Sequence, residues 1–356
     1  MNSKLFDSTS AAQAEKLGSL LPEWIAEIER EKLFQLFVPK RLGGLGLTLS
    51  QGLMVEEKLA KLDGSLGWTV TLCAGALWFV GFLDQKLIEE TFPNTQLCFA
   101  GSGHVGGRAV KTEKGYRVSG HWTYASGALH ASHLTANCEI WENGEPVMDS
   151  NGEPLIYAFI LKKEEVRILD SWHYMGMIAT GSYAFDCENI DVSFQRAFQI
   201  LPESASLPDP VFQYPFLQLA EATLAVNILG ISLHLQELIR ESFWKRNEKK
   251  HFSEKQLAYA NQLFEDTAVQ LGEGKVALYG AVEKSWSELE RDGAIKDKTL
   301  QEVSKASRAL VQVARTCNAS IYPLAGLEAA KSDSELNRVW RDFNTVSQHS
   351  LLTFPF

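Results

Sequence analysis

Cysteine is scarce. Cys73, Cys98, Cys138, Cys187 and Cys317 are odd in number, widely spread and free of any C-x-x-C spacing. That pattern excludes a disulfide framework and predicts buried free thiols in a reducing, cytoplasmic setting. Positive charge is also short, with 34 Lys and Arg against 44 Asp and Glu and a formal net charge of -10. No dense basic block offsets it, so a nucleic-acid partner is excluded. Long uncharged runs are nearly absent. The exception, LGWTVTLCAGALWFVGFL at 66–83, contains three glycines and two threonines and has charged flanks. It reads as a helix buried in protein, with no membrane partner expected. The first residues, MNSKLFDSTSAAQAEKLG, lack the apolar core of a secretory signal.

What is present falls into three textures. Residues 1–92 are helical in pattern, with Thr48 and Gln51 as a capping box, Asp63-Gly64 as a stop, and Pro22 either dividing the first helical stretch or sitting in its first turn. Residues 93–204 switch to β-branched and aromatic runs (LCFA, YRVSGHWTYAS, HLTANCEI, LIYAFIL, SYAFDC). Turn clusters such as EKG, ENGEP, DSNGEP and CENID separate them. Strands in succession without helices between them predict an antiparallel barrel or sandwich. Residues 205–356 return to helical periodicity, near 212–245, 253–290, 298–322 and 334–352. Ser253 with Gln256 and Ser332 with Glu335 form capping boxes there. The expected fold is therefore α+β and multidomain: an N-terminal helical domain, a central antiparallel β-barrel or sandwich, and a C-terminal four-helix bundle.

Gly101, Gly103 and Gly106 spell G-x-G-x-x-G within LCFAGSGHVGGRAV. A dinucleotide fingerprint must open a helix, whose N-terminus holds the pyrophosphate. Here a hairpin turn at 113–115 and the strand-like run 116–122 follow instead, so the Rossmann reading fails and a connection between strands is expected. His130 and His133 stand at i,i+3 without a supporting Cys or carboxylate set, so no metal site is expected.

Several motifs in this order resemble the acyl-CoA dehydrogenase superfamily of flavoproteins. They are FVPKRLGGLGLT (37–48), LDGSLGW (62–68), GYRVSGHWTYASGALHAS (115–132), MGMIATGSYAFDCENIDV (175–192) and LNRVWRDFNTVSQH (336–349). The resemblance implies a flavin, FAD or FMN. Its edge would meet the backbone of Ala100, Gly101, Ser102 and Gly103, with Tyr124 and Ser126 beside the ring.

Dehydrogenases of the family draw a substrate proton with a carboxylate. After Arg341-Asp342 this chain has His349-Ser350-Leu351-Leu352 where many relatives carry that Glu, and Glu221 lies one residue from an alternative position. One residue on a helix is about 100 degrees of rotation. Arg338, Arg341, Thr345 and His349 recur at three- and four-residue steps on one helix face.

A histidine here resembles the two-component flavin-dependent monooxygenases of the same fold. These take reduced flavin from a separate reductase and hydroxylate a small organic substrate through a C4a-hydroperoxyflavin. On that resemblance His349 and Ser126 are the catalytic residues, and His130, Arg341 and Glu221 are candidates for substrate contact. Two other readings stand beside it: an FAD-dependent acyl-CoA dehydrogenase, and a flavin-fold binding or assembly protein without catalysis. A homo-oligomer, a tetramer by resemblance, is expected.

Overall fold

The computed structural model describes residues 3–92 and 96–354; the junction expected at 92/93 touches residues 93–95, outside the described residues. The chain opens with α1 (Ser8–Leu17), capped by Asp7 and ended by Gly18 at φ 75°. Next comes α2 (Pro22–Arg30), with its proline in the first turn. The Thr48–Gln51 capping box forms in both directions and starts α3 (Leu49–Leu62). Asp63 does more than end that helix. Its carboxylate accepts the Leu66 N–H at 2.9 Å and starts α4 (Gly64–Leu77). A 3-10 turn (Trp78–Phe82) and α5 (Gln85–Thr91) complete this part.

The strands are β1 (Phe99–Thr112), β2 (Gly115–Ala125), β3 (His133–Glu142), β4 (Glu145–Pro146), β5 (Ile156–Lys162), β6 (Arg167–Leu169), β7 (Tyr183–Ser193) and β8 (Ala197–Phe198). They form one open sheet in the order β6-β7-β2-β1-β3-β5-β8, with β4 paired to β3. The sheet departs from the expected antiparallel pattern at one place. After the β1–β2 hairpin, residues 126–132 carry the chain back across β1, so β3 pairs with β1 in parallel. The stretch CENID is also no turn. β7 runs through it, with Asn189 at φ 54° and a register shift on β2 between Val118 and Gly120 absorbing the irregularity.

Four helices follow: α6 (Phe216–Lys250), α7 (Glu254–Asp292), α8 (Asp297–Ile321) and α9 (Glu335–Val346). The Ser253 capping box forms as expected, whereas α9 is capped by Ser334, not Ser332. The first part of α6 is apolar on all sides because it is covered on all sides, by α3, α4, α8 and α9. The uncharged run finds the same explanation. Gly64–Phe82 and Phe216–Lys250 are long and apolar enough to cross a membrane, yet 89% and 78% of their apolar windows are buried inside the protein. The N- and C-terminal helices thus share one core. The sheet keeps a second core around Trp122, stacked on Phe185 at 5.0 Å.

Candidate active site

The glycine stretch lies inside β1, not in a loop. Its pairing with β3 slips between Gly101 and Val105 and again between Val105 and Gly107, so Ser102 and Gly103 bulge out of the ladder. Asn137 on β3 holds the bulge by donating from Nδ2 to the Gly103 carbonyl at 3.3 Å. None of these glycines has a positive φ. Crowding explains two of them: a Cβ on Gly101 would stand 1.7 Å from Thr135 Oγ1 and one on Gly106 would stand 2.2 Å from the His121 carbonyl oxygen, whereas one on Gly103 would meet nothing within 4 Å.

Two cavities flank this region. One of about 210 Å3 is bordered by α4, the start of α6 and the bulge, and Gly101, Ser102 and Gly103 line it. A second, of about 530 Å3, is lined by Trp68, Tyr124, Ser126, Trp172, Tyr174 and Ser182. Leu72 and His349 belong to both linings. The candidate site residues are therefore brought together as two groups that meet at His349. Ala100 joins neither group. It is buried, and its carbonyl accepts the Thr135 hydroxyl.

Ser126 sits in a directional chain of hydrogen bonds. Thr180 donates its hydroxyl to the Met177 carbonyl at 2.7 Å, so Ser182 must donate to Thr180 (2.6 Å) and Ser126 to Ser182 (2.7 Å). Trp68 Nε1–H then donates to Ser126 Oγ at 3.1 Å. Every hydroxyl proton is committed. Ser126 keeps one lone pair for a further donor. Tyr124 stands at φ 65°, an uncommon conformation for a side-chain-bearing residue, on an irregular stretch of β2. Its hydroxyl meets that of Tyr174 at 3.2 Å, and Tyr174 packs against Trp172 at 4.2 Å. These three rings form an aromatic wall.

His349 does not lie on α9, which ends at Val346. Arg315 of α8 donates to the Ser347 carbonyl there, and the chain turns. His349 Nδ1 accepts the Leu351 N–H at 3.4 Å, which places the proton of the neutral ring on Nε2. The ring meets Trp68 edge-on at 5.9 Å, and burial lowers its pKa from the ordinary value.

Three candidates lie outside both cavity linings. Glu221 is fully buried but faces α8, where Arg308 donates to its Oε1 at 2.6 and 3.0 Å. Arg341 binds Glu15 and the Met175 carbonyl, both at 2.6 Å, and so ties α9 to α1 and to the wall of the larger cavity. His130 lies in the crossing segment outside both linings, and burial beside Lys163 pushes its pKa down to about 4. Arg338 is buried and donates to Ser8.

Sequence reasoning passed over Trp68, Trp172, Tyr174, Thr180 and Ser182. Trp68, Thr180 and Ser182 stood inside quoted motifs, but only the fold turns them toward Ser126. Trp172 and Tyr174 stand in irregular backbone with no periodicity to read.

Residues 224–354 match the family profile described as acyl-CoA dehydrogenase, C-terminal domain. The chain is 25% identical over 333 residues to the indole-3-acetate monooxygenase of Acinetobacter baumannii, covering 92% of this chain and 83% of that protein. Among solved structures, XiaF from Streptomyces sp. in complex with FADH2 and glycerol superposes with TM-score 0.87 at 21% identity, covering 98% and 89% of the two chains. TdsC from Paenibacillus sp. A11-2 with FMN and indole superposes with TM-score 0.79 at 17% identity, covering 99% and 92%. Residues 224–354 thus carry the likeness to the acyl-CoA dehydrogenase C-terminal domain, and the relatives matched across nearly the whole chain include proteins named as flavin-dependent monooxygenases.

Proposed function

We propose that this chain is the oxygenase component of a two-component flavin-dependent monooxygenase that hydroxylates a small organic substrate. One observation carries the reading. The hydroxyl chain ends in a single unspent lone pair on Ser126, within a cavity whose other wall includes His349, and no carboxylate lines either cavity among the described residues. The same fact argues against dehydrogenation of an acyl thioester, which needs a carboxylate base. Glu221, the remaining candidate, is held by Arg308.

The residues present fit a flavin. Tyr124, Trp172 and Tyr174 offer flat apolar contact to a ring, and Ser126 can accept from a ring N–H. Reduced FAD or FMN, when bound, supplies two electrons and activates dioxygen. The balance is then one substrate C–H bond converted to C–OH, with the second oxygen atom leaving as water. Ser126, locked as an acceptor, would keep a proton on the ring nitrogen it faces. His349 would donate from Nε2 to an oxygen at the junction of the two cavities. Trp68, touching both Ser126 and His349, holds them in register.

Relatives named as oxygenase subunits or oxygenase components of flavin-dependent monooxygenases support a separate reductase as the electron source. A homotetramer is part of the same reading, by resemblance, with Val269 and Val276, exposed seven residues apart on α7, as candidate contact positions. Five buried free thiols suit a cytoplasmic location. The division 1–92, 93–204 and 205–356, with a barrel-like middle and a four-helix C-terminal unit, belongs to the same reading. Limited proteolysis should cut near its two junctions. Mixing the protein with reduced FMN or FAD and dioxygen in a stopped-flow spectrometer tests the function. A long-lived near-ultraviolet transient is expected, and bleaching of bound FAD by an acyl-CoA without oxygen would favour the dehydrogenase instead.

A further inference from the structure

The smaller cavity specifies its occupant more closely than the reaction class does; this rests on the two-cavity reading above. Among the described residues its lining contains no Asp, Glu, Lys or Arg. Its polar side chains already have partners. Thr71 Oγ1 accepts from Asn227 at 3.1 Å, Thr223 donates to the Ala220 carbonyl at 3.1 Å, and Asn137 holds the β1 bulge. His349 is the one titratable group, and burial favours its neutral form. A carboxylate or phosphate entering here would give up its water without meeting a cation, so the lining selects against charge.

Size is set just as locally. A cavity of about 150 Å3 holds benzene. The 210 Å3 here leaves room for a substituted ring or a compact fused pair. Within α4 every residue is buried except Leu72 and Gly75, and both line this cavity. Two glycines of that helix have different reasons to be there. A Cβ on Gly67 would stand 2.4 Å from the Ala60 backbone, so packing demands glycine. A Cβ on Gly75 would meet nothing within 4 Å. Glycine inside a helix is unfavourable relative to alanine, and no contact requires it at 75. What it leaves is space in the cavity.

We propose that Gly75 sets the depth to which an uncharged ring enters the smaller cavity and that the charge-free lining discriminates against an anionic one. Calorimetric titration of the flavin-free protein with phenol, indole and indole-3-acetate at neutral pH tests both halves. Indole should bind at least about tenfold more tightly than indole-3-acetate. Gly75→Leu should weaken indole by about tenfold or more while leaving phenol nearly unchanged. Gly75→Ala should raise the melting temperature and weaken indole less, which guards against misfolding of the larger variant. Equal or tighter binding of indole-3-acetate, unchanged indole affinity in both variants, or no binding of any of the three would overturn the proposal. A protein that bound indole in this pattern yet took up no reduced flavin would uphold it and sink the oxygenase reading.

Discussion

Replacing Ser126 with alanine removes one oxygen from the hydroxyl chain, and the structure sets both consequences. Trp68 Nε1–H loses its acceptor in a buried site, while Ser182 loses an incoming donor but keeps its own bond to Thr180. An orphaned buried donor costs about 1–3 kcal/mol. At about 2.1 cal/mol/K per residue, a chain of 356 residues has an unfolding entropy near 0.75 kcal/mol/K. A cost of about 2 kcal/mol therefore lowers Tm by only about 3 °C. The fold survives. Function should suffer more, because the unspent lone pair on Ser126 goes with the oxygen. Losing one hydrogen bond worth about 1.4 kcal/mol should change the partition between hydroxylation and wasted oxygen consumption about tenfold. The assay is product formed per reduced flavin oxidised, with hydrogen peroxide measured in parallel. A variant with Tm lowered as stated but full coupling would refute the role given to Ser126.

Further outcomes follow from the same contacts. Glu221→Gln should leave turnover per folded molecule unchanged but cost about 3 kcal/mol by calorimetry, because Arg308 stays in a mostly buried site without its counter-charge. Gly106→Ala drives a Cβ against the His121 carbonyl and should destabilise by about 1–3 kcal/mol, with the β1–β2 amides losing protection in hydrogen exchange. Burial first, and then the neighbouring Asp63, raise Asp342 from 3.8 to about 7. The folded state then binds more protons than the unfolded one between those values, so stability falls as pH rises from about 4 to 7. Asp342→Asn, which can still accept the Met177 N–H, should flatten that slope in Tm against pH.

Local chemistry was legible in the sequence, and non-local geometry was not. The boxes at Thr48–Gln51 and Ser253–Gln256 involve neighbours only, and both form as spelled. At α9 two serines compete, and Ser334 wins because its hydroxyl also reaches the Glu328 carbonyl, a contact invisible in the spacing. The parallel β1–β3 pair depends on where residues 126–132 cross, which no run of β-branched residues encodes. His349 was found by its distance from Arg341-Asp342, but its helix was drawn too long. What ends α9 is Arg315, more than thirty residues away in sequence, on α8. Ser126 was named from a resemblance, and its acceptor role became readable only once Trp68, Thr180 and Ser182 had been brought around it. Glu221 went the other way. Helical position suggested a base, and one long-range partner made it structural.

The central claim is that His349 acts on oxygen at the junction of the two cavities, using electrons from a reduced flavin. A single turnover with reduced FMN or FAD, an aromatic substrate such as indole and isotopically labelled dioxygen tests it most directly. Mass spectrometry of the product should show one labelled oxygen atom per molecule in the wild type. His349→Ala should give almost none, while still folding, binding flavin and consuming dioxygen. Unlabelled product, or equal labelling by His349→Ala, would contradict the account.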